Sequence, residues 1–340
     1  MQEYGIRQYW TLLTRYIEQV QEGLEIAAKI LHEKEPPDLV HVVAGAGTGG
    51  GSAAAFFLVR GAFGHSILAP IVLNQGYTVA CVKPQAKPLG IAVSCSGETE
   101  EILSQFQEMV SMNIPIVVIA GGGTLARLAE QKGIPVIRVK LEAPPRFLIG
   151  YLFGALCGIL QWAKLIPLDE LNALGTLHCV FNDWELHYAQ AECIANSLIN
   201  RLPVIYGVAD WGIAVVDRWR RQLAENAKTL SIANVIPAMH HDEIVGWERA
   251  TILSSLGTVI ILSSHLDPPP TQLRVKITRS ILSKLLPVVD ITFPYDHPLL
   301  NVWAGVLLAD MTSLRLAELY RIDPLKTTIL DYIKTELTKR

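Results

Sequence analysis

The sequence lacks the cysteine patterns that staple a small fold or bind zinc. Its five cysteines are widely scattered over 340 residues, and no C-x-x-C pair occurs. Disulfide scaffolds need cysteines in evenly numbered sets, and zinc ribbons need closely spaced pairs. We therefore expect no disulfide framework, no zinc ribbon and a reducing compartment, the cytoplasm.

The chain also lacks any block of like charges. Lys and Arg together number 29 and Asp and Glu 32, which gives a formal net charge of −3. Nucleic acids and anionic membrane surfaces attract basic patches or basic tails. We therefore expect neither nucleic acid nor a membrane as a partner.

A long apolar run is missing as well. The longest uncharged apolar stretch, Phe147–Trp162, is flanked by Arg146 and Lys164. It is shorter than the roughly 18–20 residues that a membrane span needs. The first twenty residues mix charged and aromatic side chains, unlike a signal peptide. We expect Phe147–Trp162 to form a buried helix.

What the sequence does contain is a regular alternation of apolar patterns. Half of its residues are hydrophobic, and its length corresponds to about two domains. Short β-branched runs alternate with helical spacing between residues 39 and 141 and again after residue 202. This alternation is typical of parallel sheets covered by helices on both faces. It predicts an α/β fold of two tandem, doubly wound α-β-α sandwich domains with mainly parallel sheets.

The same patterns predict the domain boundaries. We expect an N-terminal helix over residues 1–35, broken by Pro36 and Pro37. A first domain is expected over 36–165, and a linker over 166–190. The second domain should span 191–340 and end in a C-terminal amphipathic helix.

A glycine-rich turn, "GAGTGGGS" at 45–52, follows a predicted strand and opens a predicted helix. Such a turn lets backbone N–H groups approach an anion at the positive end of the helix. A dinucleotide site would require an acidic residue about 20 positions later, at the end of a second strand, and none is evident. No G-K-[ST] closes the turn, so a Walker A loop is not expected either.

The stretch "SCSGETEEI", residues 94–102, places three hydroxyl side chains at a strand–helix turn. Hydroxyl and backbone donors that converge there can hold a phosphate without a lysine. Glu100 and Glu101 also suit the first turn of a helix electrostatically, so simple helix capping is an alternative. The residues alone leave both interpretations open.

The run "MHHDEIVGWE", residues 239–248, contains four adjacent titratable side chains. Adjacent side chains diverge in a helix and in a strand, so His240 and His241 cannot easily share one metal ion. No H-x-x-H spacing occurs here. We therefore expect no metal site.

The order of several motifs resembles that of the bifunctional phosphoglucose/phosphomannose isomerase family, whose members contain two sugar isomerase (SIS) domains. The resemblance covers nearly the whole chain beyond the first 30 or so residues, and the second histidine of the pair follows Glu225 by sixteen positions. The matching motifs are the glycine-rich turn, "SCSGETEE" at 94–101, "APPR" at 143–146, "ENAK" at 225–228, "PAMHHDEIVGWERA" at 237–250 and "DPLKT" at 323–327.

The resemblance implies an SIS-type fold for both domains and a role for each matched residue. Glu225 would be the general base that moves a proton between C1 and C2. His241 would assist ring opening from the neighbouring subunit of a homodimer, and Arg146 would face the enediolate. Lys334 would lie near the ring oxygen, and Thr327 would allow acceptance of both epimers. The residues implied in phosphate binding are Gly47, Thr48, Gly49, Ser94, Ser96 and Thr99.

The implied function is the interconversion of glucose 6-phosphate, and mannose 6-phosphate, with fructose 6-phosphate through a cis-enediol. This chemistry needs a carboxylate base, a fixed cation and a near-neutral acid–base group, and neither a metal nor a cofactor is expected. Two positions depart from the family pattern. Gly49 replaces a usual serine, and Glu98 replaces a common asparagine. These departures leave open a non-catalytic phosphosugar sensor and an SIS isomerase for another sugar phosphate.

Overall fold

The computed structural model describes residues 4–79, 82–249, 251–337 and 339. The chain divides into two compact units, each made of more than one segment. The first unit comprises Leu12–Asn182 and Tyr295–Trp303. The second unit comprises Met1–Thr11, Asp183–Pro294 and Ala304–Arg340.

Each unit contains one parallel sheet. The strands of the described residues are β1 Val42–Ala46, β2 Ile71–Asn74, β3 Pro88–Ser94, β4 Ile116–Ala120, β5 Val136–Arg138, β6 Leu202–Val208, β7 Ile232–Ile236, β8 Gly257–Ser264 and β9 Val288–Phe293. The first unit has the strand order β2-β1-β3-β4-β5, and the second has the order β7-β6-β8-β9. All these pairings are parallel. The α/β class with parallel sheets is therefore confirmed.

The helices largely connect these strands. In chain order, the α-helices of the described residues are α1 Tyr4–Thr14, α2 Tyr16–Leu31, α3 Ala54–Phe63, α4 Glu100–Ser111, α5 Gly123–Gln131, α6 Ile149–Trp162, α7 Leu168–Asn172, α8 His178–Asn182, α9 Trp184–Ser197, α10 Trp211–Ala227, α11 Glu243–Gly246, α12 Thr251–Leu256, α13 Pro269–Leu282, α14 Pro298–Tyr320 and α15 Thr328–Leu337. The stretch 166–190, expected as a linker, carries α7, α8 and the first half of α9.

The central strands are buried on both faces, and their sequences are therefore continuous apolar runs. All seven residues of β3 and all five of β4 are buried. Strand β2 was not anticipated from the sequence. It is a four-residue strand at one edge of its sheet and pairs only with β1 among the described strands.

Helix α6 is buried, as its apolar sequence predicted. Every residue from Ile149 to Leu160 is buried, and α6 packs along α2 in the first unit. A Cβ at Gly154 would collide with the carbonyl oxygen of Val20, and one at Gly23 would collide with that of Tyr151. Glycine therefore permits the close approach of the two helix backbones.

Helix α14 is the one described helix that is long and apolar enough to cross a membrane. Within the protein, 94% of its apolar window is buried, and a core helix passes the same test of length and composition. In the second unit, α14 anchors α10 through a fully buried ion pair. Arg218 Nε donates to Asp310 Oδ1 at 2.9 Å and Nη2 donates to Oδ2 at 2.6 Å.

Candidate active site

The glycine-rich turn leaves β1 and enters α3 through one turn of π-helix, Gly49–Ala53. Gly49 has a φ of +71°, which favours glycine over a residue with a side chain. A Cβ at Gly51 would lie 2.8 Å from the Cβ of Pro145, so glycine allows the turn to pack on the short 3-10 turn Pro145–Phe147. The "APPR" motif therefore lies directly against the glycine-rich turn.

Arg146 is buried at that contact. Its guanidinium carbon lies 5.1 Å from the centre of the Phe147 ring, within the range of a cation–π interaction. An arginine does not lose its proton in a protein, so the side chain supplies a fixed positive charge beside the turn.

The turn after β3 brings two of the predicted hydroxyls together. The Oγ of Ser94, the last residue of β3, lies 2.9 Å from Oγ1 of Thr99 and accepts the N–H of Gly97 at 3.1 Å. Thr99 is the N-cap residue of α4, yet its side chain makes no cap hydrogen bond. The hydroxyl is directed to Ser94, which favours the convergent cradle over simple helix capping. Ser96 is exposed, and its Oγ accepts the N–H of Glu98 at 3.2 Å.

The Glu98 carboxylate is engaged by the neighbouring helix. Its Oε1 accepts the backbone N–H of Thr124 at 2.7 Å, in the first turn of α5. Negative charge is favoured at a helix N-terminus, where the N–H groups have no helical partner. Glu98 therefore caps α5, a role that the sequence could not show because Thr124 lies 26 positions away.

Glu225 lies in the last turn of α10 and is half-buried. The next residue, Asn226, is buried and donates to Ser313 Oγ at 3.0 Å, which fixes this end of α10 against α14. Lys228 Nζ donates to the carbonyl oxygens of Glu225 and of Pro324, the latter at 3.0 Å. The "ENAK" and "DPLKT" motifs are thereby joined.

Thr327 and Lys334 lie at the start and in the last turn of α15. Thr327 Oγ1 donates to the carboxylate of Asp331 at 3.1 Å, and the N–H of Asp331 donates to the carbonyl of Thr327 at 2.9 Å. The Thr327 hydroxyl is thus engaged by its own helix, and Lys334 is exposed.

His240 is held by α13 in its neutral form. Its Nε2 lies 2.7 Å from Thr278 Oγ1, and Arg274 Nη1 lies 3.1 Å from its Nδ1. The Thr278 hydroxyl donates its own proton to the carbonyl of Arg274, so it accepts from Nε2–H, and Nδ1 accepts from the guanidinium. Burial, the positive charge of Arg274 and the neighbouring His241 lower the pKa of His240.

Glu243 fastens the segment beyond the histidines to the sheet. It accepts hydrogen bonds from Tyr206 Oη at 2.6 Å and from Asn234 Nδ2 at 2.6 Å, and Trp247 Nε1 donates to Tyr206 Oη at 2.9 Å. Burial, followed by the hydrogen bond to Glu243, raises the pKa of Tyr206 well above its ordinary value. Sequence reasoning missed this network, because Tyr206 lies 37 positions from Glu243.

His241 itself is exposed at the end of the 3-10 turn Ala238–His241, which follows the carboxyl end of β7. Glu225 precedes β7, at the end of the helix that returns to the amino edge of the sheet. Five residues of strand at about 3.3 Å each separate the two edges by roughly 16 Å. The placement of Glu225 and His241 at opposite edges of one sheet is compatible with the expectation that His241 serves the site of a neighbouring subunit.

Among residues 4–79, 82–249, 251–337 and 339, no group of three or more His, Cys, Asp or Glu side chains could hold a metal ion.

Comparison with known proteins decides the family. The model of the bacterial phospho-glucose isomerase C-terminal SIS domain matches residues 188–337. A bifunctional phosphoglucose/phosphomannose isomerase from Caldicellulosiruptor bescii is 30% identical over 333 residues, which cover 95% of this chain and 96% of that protein. The chain belongs to the bifunctional phosphoglucose/phosphomannose isomerase family. The family and the SIS-type fold that the motifs implied are therefore confirmed.

Two further proteins are similar to this chain. A D-glucosamine-6-phosphate 4-epimerase from Sulfolobus acidocaldarius is 25% identical over 254 residues, covering 74% of this chain and 77% of that protein. The crystal structure of a Clostridium difficile protein described as a phosphosugar isomerase superposes with a TM-score of 0.71 at 14% identity, covering 95% of each chain. At that identity the superposition shows the fold alone.

Proposed function

We propose that this member of the bifunctional phosphoglucose/phosphomannose isomerase family interconverts glucose 6-phosphate and mannose 6-phosphate with fructose 6-phosphate. The observation that carries the proposal, beside family membership, is the pair of hydroxyls at Ser94 and Thr99, 2.9 Å apart at the carboxyl end of β3. In open α/β sheets, ligands bind beyond the carboxyl ends of the strands. A phosphate that accepts both hydroxyl protons would replace their mutual hydrogen bond.

The remaining phosphate contacts are assigned to the two turns of the first unit. Ser96 and the backbone of Thr48 and Gly49 would supply further donors, and the N–H of Gly47 would join them on leaving the Asn74 carbonyl, 3.4 Å away. The positive ends of α3 and α4 favour the dianion. The Glu98 carboxylate, which caps α5, is satisfied at that helix, so this departure from the family pattern is compatible with phosphate binding.

In the proposed reaction, the Glu225 carboxylate takes the C2 proton of the open-chain aldose, and the carbonyl oxygen on C1 gains a proton. The resulting cis-enediol receives the proton on C1 while the hydroxyl on C2 becomes the new carbonyl, and this gives the ketose. Proton return to the opposite face of C2 gives the epimeric aldose. Arg146 stabilises the negative charge that develops on the two oxygens, and it does so without giving up a proton.

Ring opening is assigned to His241, with Lys334 near the ring oxygen and Thr327 beside the epimeric centre. Because Glu225 and His241 flank opposite edges of one sheet, we assign the histidine that serves a given Glu225 to a second copy of the chain. We therefore propose a homodimer in which each site uses Glu225 of one subunit and His241 of the other. Thr327 would have to leave Asp331 to contact a sugar, since its hydroxyl is engaged there.

We also propose that the enzyme is cytoplasmic and works without a metal or a cofactor. Isomerisation moves hydrogen within one molecule and consumes no external oxidant. Cys95 and Cys157 are free buried thiols, and burial raises the pKa of Cys95 to about 12, which keeps it protonated and unreactive. Free thiols fit a reducing compartment.

The test is an NMR assay of the pure protein in D₂O with fructose 6-phosphate. We expect glucose 6-phosphate and mannose 6-phosphate to form with deuterium at C2. Parallel samples with glucosamine 6-phosphate and with pentose phosphates distinguish C4 epimerisation and other sugar isomerisations. Saturable binding with no exchange at any carbon would contradict the proposal and favour the phosphosugar sensor.

A further inference from the structure

A buried amide side chain, that of Gln105, links the two turns to which the phosphate contacts are assigned. Gln105 lies in the second turn of α4 and is fully buried. Its Nε2 donates to the carbonyl oxygen of Asn74 at 3.4 Å and to the carbonyl oxygen of Gly76. Both partners are acceptors, so the nitrogen of the amide is the atom that faces them. Helix α4, which begins beside Ser94 and Thr99, is thereby joined to the end of β2.

The glycine-rich turn uses the same carbonyl oxygen. Asn74 is the last residue of β2, and its carbonyl accepts the N–H of Gly47 at 3.4 Å. The Asn74 side chain is buried and donates from Nδ2 to the carbonyl oxygen of Gly45 at 3.3 Å. Asn74 thus holds the glycine-rich turn through two hydrogen bonds and is held in turn by Gln105.

The shared carbonyl can lose the Gly47 donor without being left unpaired. A carbonyl oxygen has two lone pairs and can accept two hydrogen bonds. Both of its bonds here measure 3.4 Å, which is longer than most N–H···O hydrogen bonds. When the N–H of Gly47 turns to a phosphate, the Gln105 amide still pairs the carbonyl. A buried carbonyl without any donor would oppose that change.

Gln105 also carries a cost in stability. Its Oε1 is buried and has no hydrogen-bond partner among the residues that the structure describes. Such a group destabilises a protein, and unsatisfied buried polar groups are uncommon. A methionine has a similar length, suits a helix and has no such oxygen. A glutamine at this position is therefore better explained by a role in the site than by a role in stability.

We propose that Asn74 and Gln105 are positioning residues that couple the glycine-rich turn to α4 around the phosphate of the substrate. Phosphate binding draws the Gly47 N–H away from the Asn74 carbonyl, and Gln105 keeps that carbonyl paired. This role rests on the proposed function, which assigns the phosphate to these two turns.

The test compares Gln105→Met with two control variants of α4. Gln107→Met makes the same change at an exposed position. Ser104→Ala removes a hydrogen bond to the Tyr77 carbonyl, which fastens the chain after β2 to α4 without involving Gly47. Calorimetry measures the dissociation constant for glucitol 6-phosphate, which has no carbonyl group and cannot be isomerised. Gln105→Met should raise this constant at least about fivefold, the lower end of the effect of an unpaired buried carbonyl, and both controls should match the parent.

Kinetics and stability separate this role from a structural one. KM for fructose 6-phosphate should rise with the dissociation constant in Gln105→Met, while kcat stays near the parent value, because Glu225 and His241 belong to the second unit. Without ligand, the Asn74 carbonyl keeps its Gly47 donor, and the exposed Gly76 can bond water. Urea denaturation should therefore show no loss of stability. Unchanged affinity in Gln105→Met overturns the proposal, as does an equal loss of affinity in Ser104→Ala.

A measurement on the parent does not depend on how the variants fold. Titration with glucitol 6-phosphate should move the NMR signals of the Gly47 N–H and of the Gln105 side-chain amide together. A Gln105 signal that stays fixed at saturation overturns the coupling, and the proposed function stands if that protein isomerises fructose 6-phosphate. If the two signals move together but no hexose phosphate is isomerised, the coupling stands and the proposed function fails.

Discussion

Glu225 and His241 flank opposite ends of the same strand, β7, in the sheet of the second unit. Glu225 ends the helix that precedes the strand, and His241 ends the turn that follows it. A base must come within about 3 Å of the proton that it removes. A strand of about 16 Å between the elements that carry them argues against one site that uses both side chains of the same chain. This separation supports the proposal that His241 is contributed by a second subunit.

Replacing Glu225 tests its assignment as the base. Glu225→Gln keeps the size of the side chain and removes its ability to accept a proton, so kcat for fructose 6-phosphate should fall by about 10²- to 10⁴-fold. KM should change little, because the phosphate contacts lie on other residues. Glu185→Gln, the same change at an exposed position in the first turn of α9, should match the parent. Equal kcat values for Glu225→Gln and the parent would refute the assignment.

Replacing Glu98 tests whether its carboxylate caps α5 or faces the phosphate. Glu98→Gln removes the charge at the helix N-terminus, and we expect urea denaturation to show a loss of about 0.3–1 kcal/mol. KM for fructose 6-phosphate should stay within about twofold of the parent value. A KM that falls tenfold or more would mean that the carboxylate repels the phosphate, contrary to its hydrogen bond with Thr124.

The environment of His240 predicts a pH dependence of stability. Its pKa is lowered from 6.5 in the folded protein, so the unfolded chain binds more protons at mildly acid pH. The free energy of unfolding should therefore fall as the pH drops below about 6.5. Protonation would also place a second positive charge beside Arg274 Nη1, which donates to Nδ1. In His240→Asn, this part of the pH dependence should disappear. Urea denaturation between pH 5 and 8 measures the free energy of unfolding of both proteins. The prediction is contradicted if the two free energies change with pH in the same way.

The buried pair of Arg218 and Asp310 holds α10, which carries Glu225, against α14. Asp310→Asn leaves a buried guanidinium without its counter-charge and should cost about 3–5 kcal/mol of stability. Arg218→Met combined with Asp310→Leu removes both charges and should recover much of that loss. Urea denaturation measures the free energy of unfolding of each variant. A double variant that is no more stable than Asp310→Asn would show that the unpaired buried charge is not the cause of the lost stability.

Much of the fold could be predicted from local sequence patterns. The buried strands β3 and β4 are continuous apolar runs, and the alternation expected after residue 202 resumes with β6 and α10. The convergence of Ser94 and Thr99 could be predicted because both lie in one short turn. The contacts of Glu98 and Glu243 could not, since their partners are distant in sequence. The position of β7 between Glu225 and His241 likewise depends on the assembled sheet.

The most direct test of an active site shared between two subunits mixes two inactive proteins. Glu225→Gln and His241→Ala are denatured together in equal amounts, refolded and assayed with fructose 6-phosphate. Random assortment makes half of the dimers mixed, and each mixed dimer has one site with both groups intact and one with both replaced. We expect about one quarter of the parent activity to return. Activity no greater than that of the two variants alone, in a sample shown to contain mixed dimers, would contradict it.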